Sequence, residues 1–365
     1  MARVLVAMSG GVDSSVAAAL LVEQGFDVIG ATMKLFCHGD DLPDRPCCSL
    51  DSVNDARRVC DRLGIPHYVL NMERSFGRDV VDDFVQEYAR GRTPIPCVRC
   101  NTFTKFRDLV GKADAIDADF VATGHYARVI DGRLHRGDDP AKDQSYFLWG
   151  LRREILSRLL LPVGTLTKAE TRERAASLGL ALVAQKVESQ DICFVPDGDH
   201  TRVIAARLGS NSEALQSGPI LLADGRIVGE HAGYARFTIG QRRGLPGGFP
   251  EPMFVVEIDA SRRAVVIGPR TELLGHLVEA AETNWLGAIP SPGDRVAAQV
   301  RHRATPTPAT IVSASVGRLE LAFETPVSAI TPGQSVVVYE RSLVRGGGVI
   351  ERGVRAGRLL PVAAA

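Results

Sequence analysis

The spacing of hydrophobic positions along the chain changes near residue 210. Before it, short aliphatic runs alternate with stretches of helical period. Val4-Leu5-Val6-Ala7 has the continuous apolar character of a buried parallel strand. Ser15 to Val22 then reads as a helix closed by Gly25, and Val28-Ile29-Gly30-Ala31 as the returning strand of a βαβ unit. Val53, Ala56, Val59, Cys60 and Leu63 predict a helix over 51–63 that stops at Gly64, followed by a strand over 66–70. A helix is expected over 76–88 with Val80, Phe84 and Val85 inward, and a strand over 120–126 that ends in Gly-His. Asp131-Gly132 marks a hairpin turn, and Thr167-Lys168-Ala169-Glu170 has capping-box spacing before a helix running to Gly179.

After residue 210 helical spacing fades and glycine, proline and short β-rich runs take over. Segments 253–258 and 264–268 read as strands of a small β domain. A second set starts near Leu277, includes 295–300, 334–339 and 348–350, and predicts a compact antiparallel barrel. The expected organisation is therefore α/β: a Rossmann-like domain over 1–205, a central β-rich domain over 206–275 and a C-terminal β-barrel over 276–365.

Composition adds bounds. Of 365 residues, 45% are hydrophobic and 24% charged, as in soluble globular proteins. No apolar run is long enough for a membrane span and the N-terminus lacks a secretory pattern, so a cytoplasmic location is expected. Net formal charge is zero, but from residue 201 onward 18 Arg face 14 Asp plus Glu, a surplus of +4 on the second half. That surplus is compatible with RNA and too small to establish it. Seven cysteines, an odd number, argue against a disulfide framework: Cys37, Cys47, Cys48, Cys60, Cys97, Cys100 and Cys193.

Candidate chemistry concentrates at four places. Met8-Ser9-Gly10-Gly11-Val12-Asp13-Ser14 joins strand to helix; its glycines let backbone amides approach a ligand, and the helix start favours an anion such as phosphate. It has neither the Walker ending nor the dinucleotide spacing. Cys97-Val98-Arg99-Cys100 lies in a proline-stiffened loop that begins Thr93-Pro94-Ile95-Pro96. A helix expected near Thr102 places Cys100 just ahead of its dipole, which favours thiolate. The pair has three readings: a redox dithiol, half a zinc site, or a nucleophile with a neighbour. Lys142-Asp143-Gln144 precedes a short apolar helix, and Cys193 follows the polar run 188–191 in a strand-like apolar patch. Cys193 alone reads equally as a buried structural thiol.

Taken together and in this order, Ser-Gly-Gly-Val-Asp-Ser, Met33-Lys34, Pro-x-Pro-Cys-x-x-Cys-Asn, Ala-Thr-Gly-His-Tyr-Ala, Lys-Asp-Gln-Ser-Tyr-Phe-Leu, Glu-Ser-Gln-Asp-Ile-Cys-Phe, Thr-Ile-Gly-Gln-Arg-Arg-Gly and Thr331-Pro332-Gly333-Gln334 resemble the bacterial tRNA-specific 2-thiouridylases. These are enzymes of the ATP-pyrophosphatase superfamily, with the adenine-nucleotide hydrolase variant of the Rossmann-like fold. The resemblance implies ATP and Mg²⁺ as cofactors, with Ala7, Met8, Ser9, Gly10, Gly11, Val12, Asp13, Ser14, Met33 and Gly124 lining the ATP site. It implies adenylation of the C2 oxygen of the wobble uridine, with Asp13 assisting, then sulfur transfer from a Cys193 persulfide with Cys100 as partner thiolate. Their disulfide is an expected product of one route.

Resemblance also places Ile95, Pro96, Cys97, His125, Lys142, Asp143, Gln144, Arg301, His302 and Gln334 against the tRNA anticodon stem-loop. It implies a cysteine desulfurase or sulfur-relay protein as donor and no membrane. One position departs from the family: where its members commonly have asparagine, this chain has Ile95, so a contact at 95–97 falls to the backbone. Three alternatives remain open at this point: an iron–sulfur cluster on Cys97, Cys100 and Cys193, an ammonia-using synthetase, and a non-catalytic tRNA-binding protein.

Overall fold

The computed structural model describes residues 1–36, 50–180, 183 and 192–355. Cys37, Cys47, Cys48 and residues 188–191 lie outside the described residues. The chain divides into two units: Met1–Val80, Cys97–Gly198 and Ser342–Val344 form the first, and Val81–Pro96, Asp199–Arg341 and Arg345–Ala365 the second.

The first unit is built on a five-stranded sheet in the order β3-β2-β1-β4-β7, every pairing parallel. β1 is Arg3–Ala7, β2 Asp27–Lys34, β3 His67–Asn71, β4 Phe120–Ala122 and β7 Leu159–Leu160. Val4, Val6, Val121 and Ala122 are fully buried, which is why these strands read as unbroken apolar runs. α1 (Val12–Glu23) and α2 (Leu50–Leu63) cover the sheet, and Val16, Ala17, Ala18, Leu21, Ala56, Val59 and Cys60 join its core. Chain order reverses between β1 and β4, the crevice where an open α/β sheet takes a ligand at its carboxyl ends. Gly25, Gly64 and Gly179 follow their helices with φ of +82°, +68° and +68°, the left-handed closure expected of them. The hairpin of β5 (Ala127–Ile130) and β6 (Arg133–Arg136) turns at Asp131 and Gly132, with φ of +50° and +68° as a type I′ turn requires.

The expected helix over 76–88 proves to be composite. α3 (Glu73–Phe76) passes into a π-helix, Gly77–Val81, before α4 (Asp82–Ala89). Val80, Phe84 and Val85 are inward as predicted.

The second unit contains two β assemblies. β8 (Gly218–Leu222), β9 (Ile227–His231), β10 (Met253–Asp259) and β11 (Ala264–Pro269) form a four-stranded sheet in the order β10-β11-β8-β9. The order β12-β15-β14-β13-β16-β17 is closed by pairing of β12 (Leu274–Trp285) with β17 (Leu343–Arg355), which makes a barrel. β13 is Arg295–Gln299, β14 Thr307–Ser315, β15 Arg318–Ser328 and β16 Ser335–Glu340. Val278, Ala298, Ile311, Leu321, Val336, Val338 and Ile350 fill it, alternate residues of each strand pointing inward. Residues 81–96 belong with this unit: the Tyr234 hydroxyl donates to the Ala89 carbonyl at 2.6 Å, and the Tyr88 ring stacks on His200 at 4.4 Å.

Candidate active site

The loop after β1 is shaped by what its glycines permit. Gly10 has φ +70°, and a Cβ there would stand 2.2 Å from the Ser52 carbonyl oxygen, so only glycine fits. Gly11 is the N-cap of α1 and has no side chain to cap it. The first-turn amides and the positive end of the helix dipole therefore face the loop. Serines hold its shape: Ser9 N donates to Ser14 Oγ at 3.1 Å, and Ser15 Oγ donates to the Gly11 carbonyl at 2.8 Å. Gly124, after β4, abuts the same turn; a Cβ there would meet Ser14 N at 2.5 Å and Asp13 C at 2.6 Å. The glycine loop and the end of β4 thus flank the topological switch point. Met33 stands at the carboxyl end of β2, half-buried.

Asp13, in the first turn of α1, anchors a network that sequence reasoning missed. Lys168 Nζ lies 2.7 and 2.9 Å from its two carboxylate oxygens, and the Tyr126 hydroxyl donates to Oδ1 at 2.8 Å. The same ammonium sits 5.6 Å from the Tyr126 ring centroid. Lys168 is the first residue of α8 (Lys168–Ser177), whose capping box of Thr167 and Glu170 is present in full, and α8 packs against α1. A lysine at the positive end of a helix is unfavourable by dipole logic, and that misplacement was the available signal. The pair puts one cation and one carboxylate beside the glycine turn, with the lysine side chain 12% and the aspartate side chain 33% exposed.

The two cysteine segments lie in the first unit. α5 (Pro96–Arg99) runs directly into a π-helix, Cys100–Phe106, then α6 (Arg107–Asp114). Cys100 is therefore inside a continuous helical run rather than ahead of one, because Pro96 starts the helix at its first turn. The dipole argument made for Cys100 from sequence moves to the first turn at 96–98 and no longer applies to it. Cys100 is buried and Cys97 exposed. Cys193 is half-exposed in a turn closed by Val195 N donating to the Ile192 carbonyl, so the strand-like reading of this patch is also corrected. Its neighbour Phe194 packs edge-on against Phe76 at 5.6 Å, and the helix carrying Phe76 packs against the π-helix that Cys100 opens. Cys60 is fully buried, and burial pushes its thiol up to about 11, the inert core cysteine expected. Among the described residues no three His, Cys, Asp or Glu side chains group as ligands for a metal ion. Cys97, Cys100 and Cys193 are thus not grouped as ligands for a cluster.

The residues expected against RNA divide by what holds them. His125 Nδ1 lies 2.7 Å from Thr123 Oγ1, and its ring lies 5.8 Å from that of Phe106 on the π-helix. Burial, reinforced by the Lys105 charge, pushes its pKa down to about 3, so the ring is neutral near pH 7. Lys142, next in sequence to Asp143, is half-buried. Asp143 is buried, and its oxygens accept from Arg136 Nε at 2.6 Å, Gly137 N at 3.1 Å, and Ser145 N and Oγ at 3.0 and 3.1 Å. Gln144 Oε1 accepts from Tyr126 N at 2.9 Å. Both side chains brace the turn that leads to Phe147.

In the second unit Arg301 donates to the Ile239 carbonyl and Thr331 Oγ1, both at 2.7 Å, and Gln334 Nε2 donates to the Thr93 carbonyl at 2.8 Å. Thr93 N donates to the Pro332 carbonyl at 2.9 Å, and a Cβ on Gly333 would press on Thr93 backbone at 2.9 to 3.0 Å. The Thr331–Gln334 turn therefore grips the start of the proline loop. His302 is exposed, Ile95 half-buried and Pro96 buried.

Known proteins match the chain along nearly its whole length. Three family models match in succession: a tRNA methyl transferase HUP domain over residues 2–197, a tRNA methyl transferase PRC-barrel domain over 210–269 and an aminomethyltransferase β-barrel domain over 276–350. A Geobacter metallireducens protein named tRNA-specific 2-thiouridylase MnmA is 47% identical over 365 residues, spanning 97% of this chain and 98% of its own. A Carboxydothermus hydrogenoformans protein of the same name is 45% identical over 361 residues, spanning 96% and 98%.

Proposed function

The chain belongs to the family of tRNA-specific 2-thiouridylases, and from that premise we propose that it replaces the C2 oxygen of the tRNA wobble uridine with sulfur at the expense of ATP. The observation that carries the proposal is the presence, in one α/β unit, of a glycine turn at a helix start with a paired lysine beside it and of two cysteine segments that both pack on the helix carrying Phe76. An ATP binder needs the first; the second supplies the two thiols that sulfur transfer uses.

A uridine carbonyl resists substitution because its oxygen leaves poorly. Attack of the C2 oxygen on the α-phosphorus of ATP expels pyrophosphate and makes AMP the later leaving group. The first-turn amides of α1 and the glycine loop receive the pyrophosphate as charge develops on it. Lys168 adds a cation at the same turn, and Asp13 holds that ammonium in place. Asp13 also fits as one oxygen ligand for Mg²⁺ arriving with ATP, an ion that supplies charge neutralisation to the phosphates.

Sulfur then arrives as a persulfide on Cys193, loaded by a cysteine desulfurase or relay protein. The Cys100 thiolate attacks the Cys193 sulfur, forming a Cys100–Cys193 disulfide and releasing hydrosulfide. Hydrosulfide adds at C2, AMP departs with the bond to oxygen, and loss of a proton leaves the thiocarbonyl. A thiol reductant returns both cysteines to the reduced state. Reaching the glycine loop and the cysteines requires the base to leave the anticodon stack, which costs a few kcal/mol.

The deciding experiment incubates the protein with tRNA, ATP, Mg²⁺, cysteine and a cysteine desulfurase, then digests the tRNA for nucleoside mass spectrometry. Formation of 2-thiouridine only when ATP is present supports the proposal. Unchanged uridine alongside tRNA-dependent pyrophosphate release would replace it with a different adenylating enzyme.

A further inference from the structure

We propose that Asn101 is a positioning residue for sulfur transfer, holding the π-helix that begins at Cys100 in register against the 143–147 turn. The inference rests on the thiolation reading. Asn101 is 2% exposed, and its Nδ2 donates to the Phe147 carbonyl at 3.1 Å. That bond fixes the amide orientation, since a flipped amide would oppose two oxygens.

The acceptor side of the bond belongs to a turn held by its own hydrogen bonds. Asp143 ties Arg136, Gly137 and Ser145 together through both carboxylate oxygens, and Phe147 closes the 3₁₀ turn that Ser145 opens. Contact continues one residue along the π-helix: a Cβ on Gly150 would stand 2.2 Å from Thr102 Oγ1. Cys100 is thus followed immediately by two residues seated on the same support.

The register itself is held against a local cost. Asn101 Oδ1 and Thr104 Oγ1 are both buried without a hydrogen-bond partner, and Thr104 is fully enclosed. Buried orphans of this kind destabilise a fold. In an α-helical register the Thr104 hydroxyl would have the carbonyl four residues back, that of Cys100, as an acceptor. A seven-residue π-helix is itself rare, and such departures from the α-helix are frequent at functional sites. Two buried orphans in one turn add nothing to stability, and on this proposal the register that leaves them serves to place Cys100 for its attack on the persulfide.

The test separates the two half-reactions. In Asn101→Leu, 2-thiouridine formation from persulfide-loaded protein is expected to fall at least about tenfold through misplacement, while tRNA-dependent pyrophosphate release stays within about threefold of native. In Asn101→Asp a protonated acid can donate to the Phe147 carbonyl and a carboxylate cannot. The ratio of its transfer rate to native is therefore expected to drop as pH rises, following one ionisation. Equal loss of both rates in Asn101→Leu, no loss of transfer, or a pH-independent ratio in Asn101→Asp each overturns the proposal. If Asn101→Leu does not fold, the Asn101→Asp ratio decides alone. Native protein that releases pyrophosphate but forms no 2-thiouridine would instead refute the thiolation reading.

Discussion

Substituting Gly124 by alanine tests whether the glycine loop is held from beneath. The added Cβ would stand 2.5 Å from Ser14 N, 2.6 Å from Asp13 C and 2.9 Å from Asp13 O. Against an ordinary contact of about 3.4 Å, the shortfall at Ser14 N is about 0.9 Å. All three atoms are backbone in the first turn of α1, so no side chain can swing aside. α1 is packed against α8, and Val12, Val16, Ala17 and Leu21 are in the core, which leaves the turn little room to retreat. Overpacking of this kind costs about 1–3 kcal/mol. In a chain of this size that lowers the thermal midpoint by several degrees.

The catalytic cost should be larger. A displacement approaching 1 Å at a phosphate-holding turn is worth about 10²-fold in rate. Tracking tRNA-dependent pyrophosphate release against ATP concentration, together with thermal unfolding, gives both numbers. The expected result is a raised KM for ATP and a rate loss of about 10²-fold with the fold retained. An alanine variant with native ATP kinetics and an unchanged midpoint would show that β4 does not brace the loop.

Lys168→Met removes the cation beside the loop while keeping the length of the side chain; pyrophosphate release should slow by about 10²-fold with tRNA affinity, read by filter binding, unaltered. For His125 the folded pKa of about 3 lies below the unfolded value of about 6.5. Between those values the unfolded state binds a proton that the folded state does not. The His125 contribution is thus complete above pH 6.5 and lost as pH falls toward 3, at about 1.4 kcal/mol per unit. Unfolding free energies of native and His125→Gln protein from urea titrations should run parallel above about pH 6.5 and change relative to each other with that slope between about pH 6 and 5; curves parallel throughout contradict a ring held neutral in the fold. Thr167→Ala takes away the N-cap hydroxyl that Glu170 N donates to, and should lower stability by about 1 kcal/mol in denaturant titration.

Much of the architecture is legible in the chain because its signals are local. The glycine closures at 25, 64 and 179, the Asp131-Gly132 turn and the Thr167–Glu170 box each depend on residues within a few positions, and the structure reproduces them. The carboxyl-edge placement of the glycine loop follows from reading β1 as a buried parallel strand. What stayed hidden depends on partners far along the chain or on an unusual helical period. Lys168 meets Asp13 across 155 positions, and no periodicity announces that. The π-helices at 77–81 and 100–106 break the 3.6-residue spacing that a helix search relies on. Pro96 did carry a signal, since proline is favoured in the first turn, and reading it so would have put Cys100 inside the helix. Resemblance places Asp143, Gln144, Arg301 and Gln334 against tRNA, and the sequence does not show what else they bond. In the structure each has bonds to backbone or neighbouring side chains that shape a turn.

The division of labour between the glycine loop and the cysteines is most directly measured with Cys100→Ser and Cys193→Ser, following pyrophosphate and 2-thiouridine in the same reaction. Each variant should release pyrophosphate with tRNA at close to the native rate while forming no 2-thiouridine. Thiolation at the native rate in either variant would contradict the account.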